Sequence, residues 1–202
     1  MKIFVFDTET TGFINKKDTS LDVQPHIVQF AGIYGELNNG KWTEIKRINQ
    51  FINPKIPIPY DASLVHHIYD IDVKNSPIIK DFIKQFLEII NLVDVVVGHN
   101  IEYDEDILKI ELKRLGLEFL YKPKQVFCTM KTTVDFCALK GNGERFKYPK
   151  LGELYKKLFG EYFIGAHDAI VDVEATLKVF LELYNKKIIN IESKKQEILS
   201  LF

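Results

Sequence analysis

The sequence predicts an α/β fold, a mixed β-sheet flanked by α-helices. Three observations carry this. Apolar, β-branched runs crowd the first fifty residues. Longer stretches of helical period fill the second half. One late strand-to-helix unit lies between them. Of 202 residues, 46% are hydrophobic and 27% charged, close to the average for soluble globular proteins. That length suits one domain able to bury roughly 70% of its unfolded surface.

Lys2 to Phe6 reads as a short buried strand ending at Asp7. Ile27 to Leu37 reads as a second strand, followed by the turn signal Asn38-Asn39-Gly40. Trp42 to Ile52 reads as a returning third strand, although Trp42, Ile45, Ile48 and Phe51 repeat every three residues. The proline-rich stretch Pro54 to Pro59 ends it. Pro77 to Leu92 has helical spacing with Ser76 as the expected cap. The β-branched run Val93 to Val97, before Gly98, reads as a buried strand. Ile101 to Leu115 carries an apolar stripe at Ile101, Leu108, Leu112 and Leu115, with Asn100 as N-cap and Gly116 as terminator. Leu151 to Phe159 is a shorter helix closed by Gly160, and Ala166 to Tyr184 a long apolar one. No internal repeat and no linker is evident.

Composition excludes several classes. Lys+Arg number 27 against 28 Asp+Glu, a net charge of -1, so no overall basic footprint marks a nucleic-acid binder. The apolar content excludes disorder, and 11 Gly with 7 Pro exclude collagen-like repeats. Cys128 and Cys137 form no zinc-type spacing, so a reducing compartment is expected. The run Ile3 to Phe6 is too short for a signal peptide, and no stretch approaches the roughly 18 apolar residues of a membrane span. A cytoplasmic protein with no membrane partner is the expectation.

Four carboxylates stand where apolar residues are expected. Asp7 follows four apolar residues, and Glu9, two further on, points to the same face of an extended chain. Taken alone, Asp7 to Gly12 reads equally as a polar loop. Asp104 falls on the apolar stripe of its helix, three after Ile101 and four before Leu108; an acid in a first turn also complements the macrodipole. Asp172 repeats the pattern beside Ala169, Thr176 and Val179, and His167 precedes it by five residues. Inward anions are stable only when protonated or when a cation holds them. Such an oxygen set suits Mg²⁺ or Mn²⁺ with phosphate oxygens, and a nearby His can take a proton from an attacking water.

Three motifs carry a family resemblance. They are Phe4 to Gly12, reading Phe-Val-Phe-Asp-Thr-Glu-Thr-Thr-Gly; Val97 to Asp104, followed by Ile107-Leu108; and His167 to Asp172. In that order they resemble the DEDDh (DnaQ-like) 3′–5′ exonucleases, such as the proofreading epsilon-type and RNase T-type members. The resemblance spans Phe4 to about Tyr184 and implies an RNase H-like fold. It implies two divalent cations, Mg²⁺ or Mn²⁺, on Asp7, Glu9, Asp104 and Asp172, with His167 as general base. It implies stepwise release of 5′-mononucleotides from a 3′ end.

Softer matches extend the resemblance. Val65-His66-His67-Ile68 is similar to the family's Val-His-Gly-Ile segment, which places His66 near the terminal nucleotide, although an exposed loop His is the commoner case. Thr8, Thr10 and Gly12 would border that nucleotide, with Asn100 and Tyr103 contributing. Tyr103 replaces a frequent Phe, and Cys128-Thr129 stands where the family often has Asp-Thr. The loop Ile14 to Pro25 is longer than the family pattern needs; it reads as a gate or as plain surface.

The neutral total hides a local excess. Lys140 to Lys157 carries six basic residues against two acids, a net of +4, interleaved with Phe146 and Tyr148. Basic, aromatic surfaces hold single strands; a solvated loop has the same composition. The first motif favours DNA over RNA, so DNA replication or repair is the expected setting. RNA trimming and a non-catalytic nucleic-acid-binding module remain alternatives. The domain is expected over residues 1–186, with a tail at 187–202. Its end, Leu199-Ser200-Leu201-Phe202, resembles a sliding-clamp-binding peptide through Leu199, Leu201 and Phe202, with Ile198 in place of Gln; core capping is the alternative. An enzyme standing alone and one serving a polymerase in trans are both open at this point, and no long polymerase-binding arm is expected.

Overall fold

In the computed structural model the described residues are 1–141, 143 and 145–191. Strands β1 (Lys2–Thr10), β2 (Ile27–Asn38) and β3 (Lys41–Phe51) come first. Helices α1 (Tyr60–His66), α2 (Asp70–Val73) and α3 (Ile79–Leu92) follow, then β4 (Val95–Gly98) and α4 (Ile101–Arg114). β5 (Val126–Cys128), α5 (Thr129–Thr132), α6 (Val134–Cys137), α7 (Leu151–Phe159) and α8 (Ala169–Asn185) come next among the described residues. The sheet order is β3-β2-β1-β4-β5. β1–β2 and β2–β3 pair antiparallel, β1–β4 and β4–β5 parallel. The mixed sheet flanked by helices is therefore as expected. Among the described residues no helix is long and apolar enough to cross a membrane.

Strand alternation divides the core into two layers. Ile3 and Val5 of β1 face α7 and α8, packing with Val173, Val179 and Phe180. Phe4 and Phe6 face α3 and α4, packing with Phe86, Ile101 and Leu108. Phe86 meets Phe4 and Phe6 edge-on, with ring centroids 5.4 and 5.5 Å apart. Ile189 and Ile191, beyond α8, are buried in the first layer.

Several element limits differ from expectation. β1 does not stop at Asp7; it runs to Thr10 because β2 supplies antiparallel partners throughout, including Asp7 opposite Ala31 and Glu9 opposite Gln29. β3 is a strand despite its three-residue repeat, because pairing along ten positions of β2 overrides the pattern. Ser76 is not a cap: α3 follows Ile78 without a side-chain cap. Asn100 occupies the N-cap position but in left-handed conformation (φ 65°, ψ 34°), with no side-chain cap bond. α8 begins at Ala169, where the Asp168 carboxylate accepts from the Ile170 N–H. β5 and the short helices α1, α2, α5 and α6 had no sequence expectation. The tail expectation on Leu199, Leu201 and Phe202 lies outside the described residues.

Candidate active site

Alternation along β1 places Asp7 and Glu9 on the α8 side, continuing the row of Ile3 and Val5. Asp172 projects from the first turn of α8. Carboxylate oxygens of Asp7, Glu9 and Asp172 lie within 4.8 Å of one another. Thr8 and Thr10 point the other way, toward α4. There the Thr8 N–H and hydroxyl both donate to Asp104 Oδ1, at 3.0 and 2.7 Å. Asp104 is 4% exposed. It stands outside the group of three, but its charge is felt at Asp7 and Glu9.

The electrostatics are those of crowded anions. Burial, then repulsion from Asp104, Glu9 and Asp172, pushes Asp7 well above the usual carboxylate range. Burial and the neighbouring acids push Glu9 up to about 8. Burial raises Asp104 to about 7, against the opposing hydrogen bonds from Thr8. Asp172 is raised by burial, and its hydrogen bond from His167 N–H works against this. Four hard oxygen donors from β1, α4 and α8, mutually repelling and half-buried or buried, are what divalent cations neutralise. The donor set therefore fits Mg²⁺ or Mn²⁺.

His167 sits just before α8 at φ 70°. Its backbone N–H donates to Asp172 Oδ2 at 3.0 Å, which ties the loop to the acid cluster. The ring is exposed and lines two clefts. One, of about 360 Å³, runs from Glu9, Thr10 and Phe13 to Val65, His66 and Tyr103. The other, of about 390 Å³, lies between Phe51, His66 and the segment Gly165–Asp168.

His66 is not an exposed loop residue. It ends α1, is 5% exposed, and its Nδ1 accepts from the Ile68 N–H at 3.1 Å. Nε2 therefore carries the proton in the neutral ring; it is buried beside the Thr10 main chain, with no well-formed hydrogen bond among the described residues. Burial foremost lowers the His66 pKa, which keeps the ring neutral.

Tyr103 donates its hydroxyl to the Gly12 carbonyl at 2.8 Å, and the Thr10 hydroxyl donates to the same oxygen at 2.8 Å. This fixes the turn that follows β1. Thr8 lines the cleft, but its hydroxyl is occupied by Asp104. Asn100 is exposed at the start of α4. The structure thus brings Thr8, Glu9, Thr10, Gly12, His66, Tyr103 and His167 to one cleft, with Asp7 and Asp172 beside Glu9 and Asp104 held by Thr8; it does not bring Asn100 to that lining.

Three residues were missed from the sequence. Phe13 is 92% exposed at the cleft mouth, edge-on to Tyr103 with centroids 6.5 Å apart. Its signal was an apolar residue directly after a polar run. Gln29, 2% exposed, donates to Asp168 Oδ1 at 2.9 Å and to Asn49 Oδ1 at 3.0 Å. Its Oε1 accepts from the Ala169 N–H at 3.1 Å. Gln29 was legible as the lone polar residue in the run Ile27 to Gly35 apart from Tyr34. His99 bridges the Thr129 hydroxyl and the Pro149 carbonyl, each at 3.0 Å. Thr129, fully buried, also contacts the Gly98 carbonyl at 3.1 Å.

The long loop after β1 is strapped down. Arg114 donates to the carbonyls of Leu21, Gln24 and Pro25 at 2.7–3.0 Å. The Gln24 side chain holds Asn15 through both its main-chain groups.

The exonuclease family profile, of RNase T type, matches residues 4–180. The PolC-type DNA polymerase III of Caldanaerobacter subterraneus subsp. tengcongensis is 28% identical over 187 residues, covering 90% of this chain and 11% of that protein. The DNA polymerase III subunit epsilon of Buchnera aphidicola subsp. Schizaphis graminum is 27% identical over 180 residues, covering 89% of this chain and 73% of that protein. This chain therefore spans about a tenth of the PolC-type relative. Among solved structures, the nuclease domain of 3'hExo, a DEDDh family member bound to rAMP, superposes with a TM-score of 0.68. It is 15% identical over 92% of each chain, a likeness of fold.

Proposed function

Because the chain belongs to the RNase T-type exonuclease family, we propose that it is a metal-dependent 3′–5′ exonuclease acting on the 3′ ends of DNA. It would release 5′-mononucleotides from single strands or frayed ends, in replication or repair. The observation that carries this reading is the convergence of Asp7, Glu9 and Asp172 within 4.8 Å, with Asp104 beside them. DNA is favoured by the polymerase relatives and by the first motif.

Asp7, Glu9, Asp104 and Asp172 would hold two divalent cations. When bound, these supply positive charge that lowers the pKa of water and neutralises phosphate oxygens. Thr8 orients Asp104 through two hydrogen bonds to one oxygen. The cleft between Phe13 and His66 receives the terminal nucleotide, with Phe13 against the base. His66 lines that cleft and shapes the wall beside the nucleotide. His167, exposed at the cleft, takes the proton of the attacking water. The new bond joins water oxygen to phosphorus, the bond from phosphorus to the 3′ oxygen breaks, and that oxygen leaves as the new 3′ hydroxyl once protonated. Docking to a polymerase, and clamp binding by the tail, belong to the same reading.

The test is a 5′-labelled single-stranded DNA incubated with Mg²⁺ or Mn²⁺, beside an Asp7→Ala control and an RNA of the same sequence. A ladder shortening from the 3′ end, with 5′-mononucleotide product and at least a 1000-fold slower control, is expected. Absent or equal degradation in both proteins would sink the assignment. Faster loss of RNA would transfer the reading to RNA trimming.

A further inference from the structure

We propose that the hairpin arms at residues 139–141 and 145–150 form a second binding surface, which holds the nucleic-acid single strand upstream of the 3′ end. The inference rests on the exonuclease reading and deepens it: the cleft takes the terminal nucleotide, and the hairpin takes the body of the strand.

The topology puts the hairpin on the correct edge. β1, β4 and β5 run parallel, so their C-terminal ends share one edge of the sheet. The acid cluster stands there, on the end of β1 and the first turns of α4 and α8. The hairpin is closed by the bridge of Lys140 with Phe146 and by the Lys147 N–H donating to the Leu139 carbonyl at 2.9 Å. Its base is fixed to the same edge, where buried Pro149 accepts from His99, the residue after β4.

The side chains suit a polyanion with bases. Lys140, Arg145, Lys147 and Lys150 are all exposed. Phe146 and Tyr148 are 47% and 57% exposed, large aromatic faces with no core role. Backbone phosphates meet the cations, and bases stack on the rings without sequence preference. Lys131 of α5 stands between this surface and the first turn of α4. It pairs with Glu102, and both Glu102 and, to a lesser degree, Tyr148 raise the Lys131 pKa. Glu102 precedes Tyr103, which packs edge-on against Phe13. Among the described residues, Glu102 is paired with Lys131 and Glu153, at the base of the hairpin, with Lys147.

The experiment compares the full chain with an Arg145→Ala/Phe146→Ala/Tyr148→Ala variant on a trithymidylate and a dodecathymidylate with Mn²⁺. All three side chains are exposed, and none touches the acid cluster. The short oligonucleotide fills the cleft; the long one also reaches the hairpin. The variant's KM for the long oligonucleotide should rise about 10- to 100-fold, while its KM for the short one stays within about twofold. Its salt dependence on the long one should also be shallower, by about 0.7 in the log–log slope for the one charge removed. Equal KM values on the long oligonucleotide, or equal rises on both, overturn the proposal. Anisotropy of the labelled long oligonucleotide, with Ca²⁺ in place of Mn²⁺, reads binding without hydrolysis. If the wild type cleaves neither oligonucleotide, the exonuclease reading fails by itself. A 10-fold affinity gap between wild type and variant would still sustain the hairpin surface, and equal affinities would overturn it.

Discussion

At the scale of single residues, polar groups inside the core show how the site is held. Gln29 lies opposite Glu9 on the neighbouring strand. Its amide grips both the Asp168 carboxylate and the Ala169 N–H, one and two residues after His167. One side chain thus fixes the spacing between Glu9, His167 and the first turn of α8. Gln29→Ala should leave the buried Ala169 N–H unpaired and cost about 1–3 kcal/mol of stability. As a positioning residue, Gln29 should affect kcat more than KM: a kcat loss of about 10-fold with KM nearly unchanged is expected. Gln29→Glu keeps an acceptor for Ala169 but sets an anion against Asp168, so its kcat should recover as pH falls. Steady-state kinetics from pH 6 to 9 would show this, and a loss confined to KM would refute it. Asp7, Asp104 and Asp172 were legible in the sequence because each falls on an apolar row, and Glu9 because it shares a face with Asp7. Gln29 was not singled out, because a lone buried amide has no charge to make its burial anomalous.

Between elements, the connection of β4 to the hairpin runs through His99. The Pro149 carbonyl can only accept, so Nε2 carries the proton and Nδ1 faces the Thr129 hydroxyl. Burial foremost depresses the His99 pKa to about 4. The unfolded chain, with an ordinary value of about 6.5, therefore binds the proton first on acidification. Its contribution is fully present above pH 6.5 and is lost as pH falls toward 4, a change on the order of 3 kcal/mol. The His99 imidazole resonance, followed by NMR, should titrate with a midpoint near 4; a midpoint near 6.5 would overturn the linkage. The sequence reading missed β5, which has only three residues, too few for any period to show. It ended β1 early for a different reason: Asp7 and Glu9 look like strand terminators until β2 is seen to pair with them. The third strand was recognised against its own periodicity, since an edge strand with one exposed face need not alternate strictly.

For the whole molecule, the acid cluster makes the metal-free fold work against itself. Asp7, Glu9, Asp104 and Asp172 are all raised foremost by burial, and Asp7, Glu9 and Asp104 also by neighbouring acids of the cluster, so a divalent cation should stabilise the native state selectively. At Mg²⁺ 100-fold above its Kd the gain is about 2.7 kcal/mol for one site, enough to raise Tm by several degrees in a chain of this size. Calorimetry should show that rise in the wild type and its loss in Glu9→Gln; equal shifts in both proteins would exclude the cluster as the binding site. The sequence by itself determined the sheet-and-helix class and the identity of the acids. Hydrophobic periodicity is local, and a charge inside an apolar run is anomalous wherever it occurs. Only the tertiary structure decided that Thr8 holds Asp104 and that His66 is buried. It also decided that Gln29 ties two distant motifs together and that the base of the basic hairpin stands at the same end of the sheet as the acid cluster. Those relations depend on strand order and register, which are set by pairing between residues far apart in the chain.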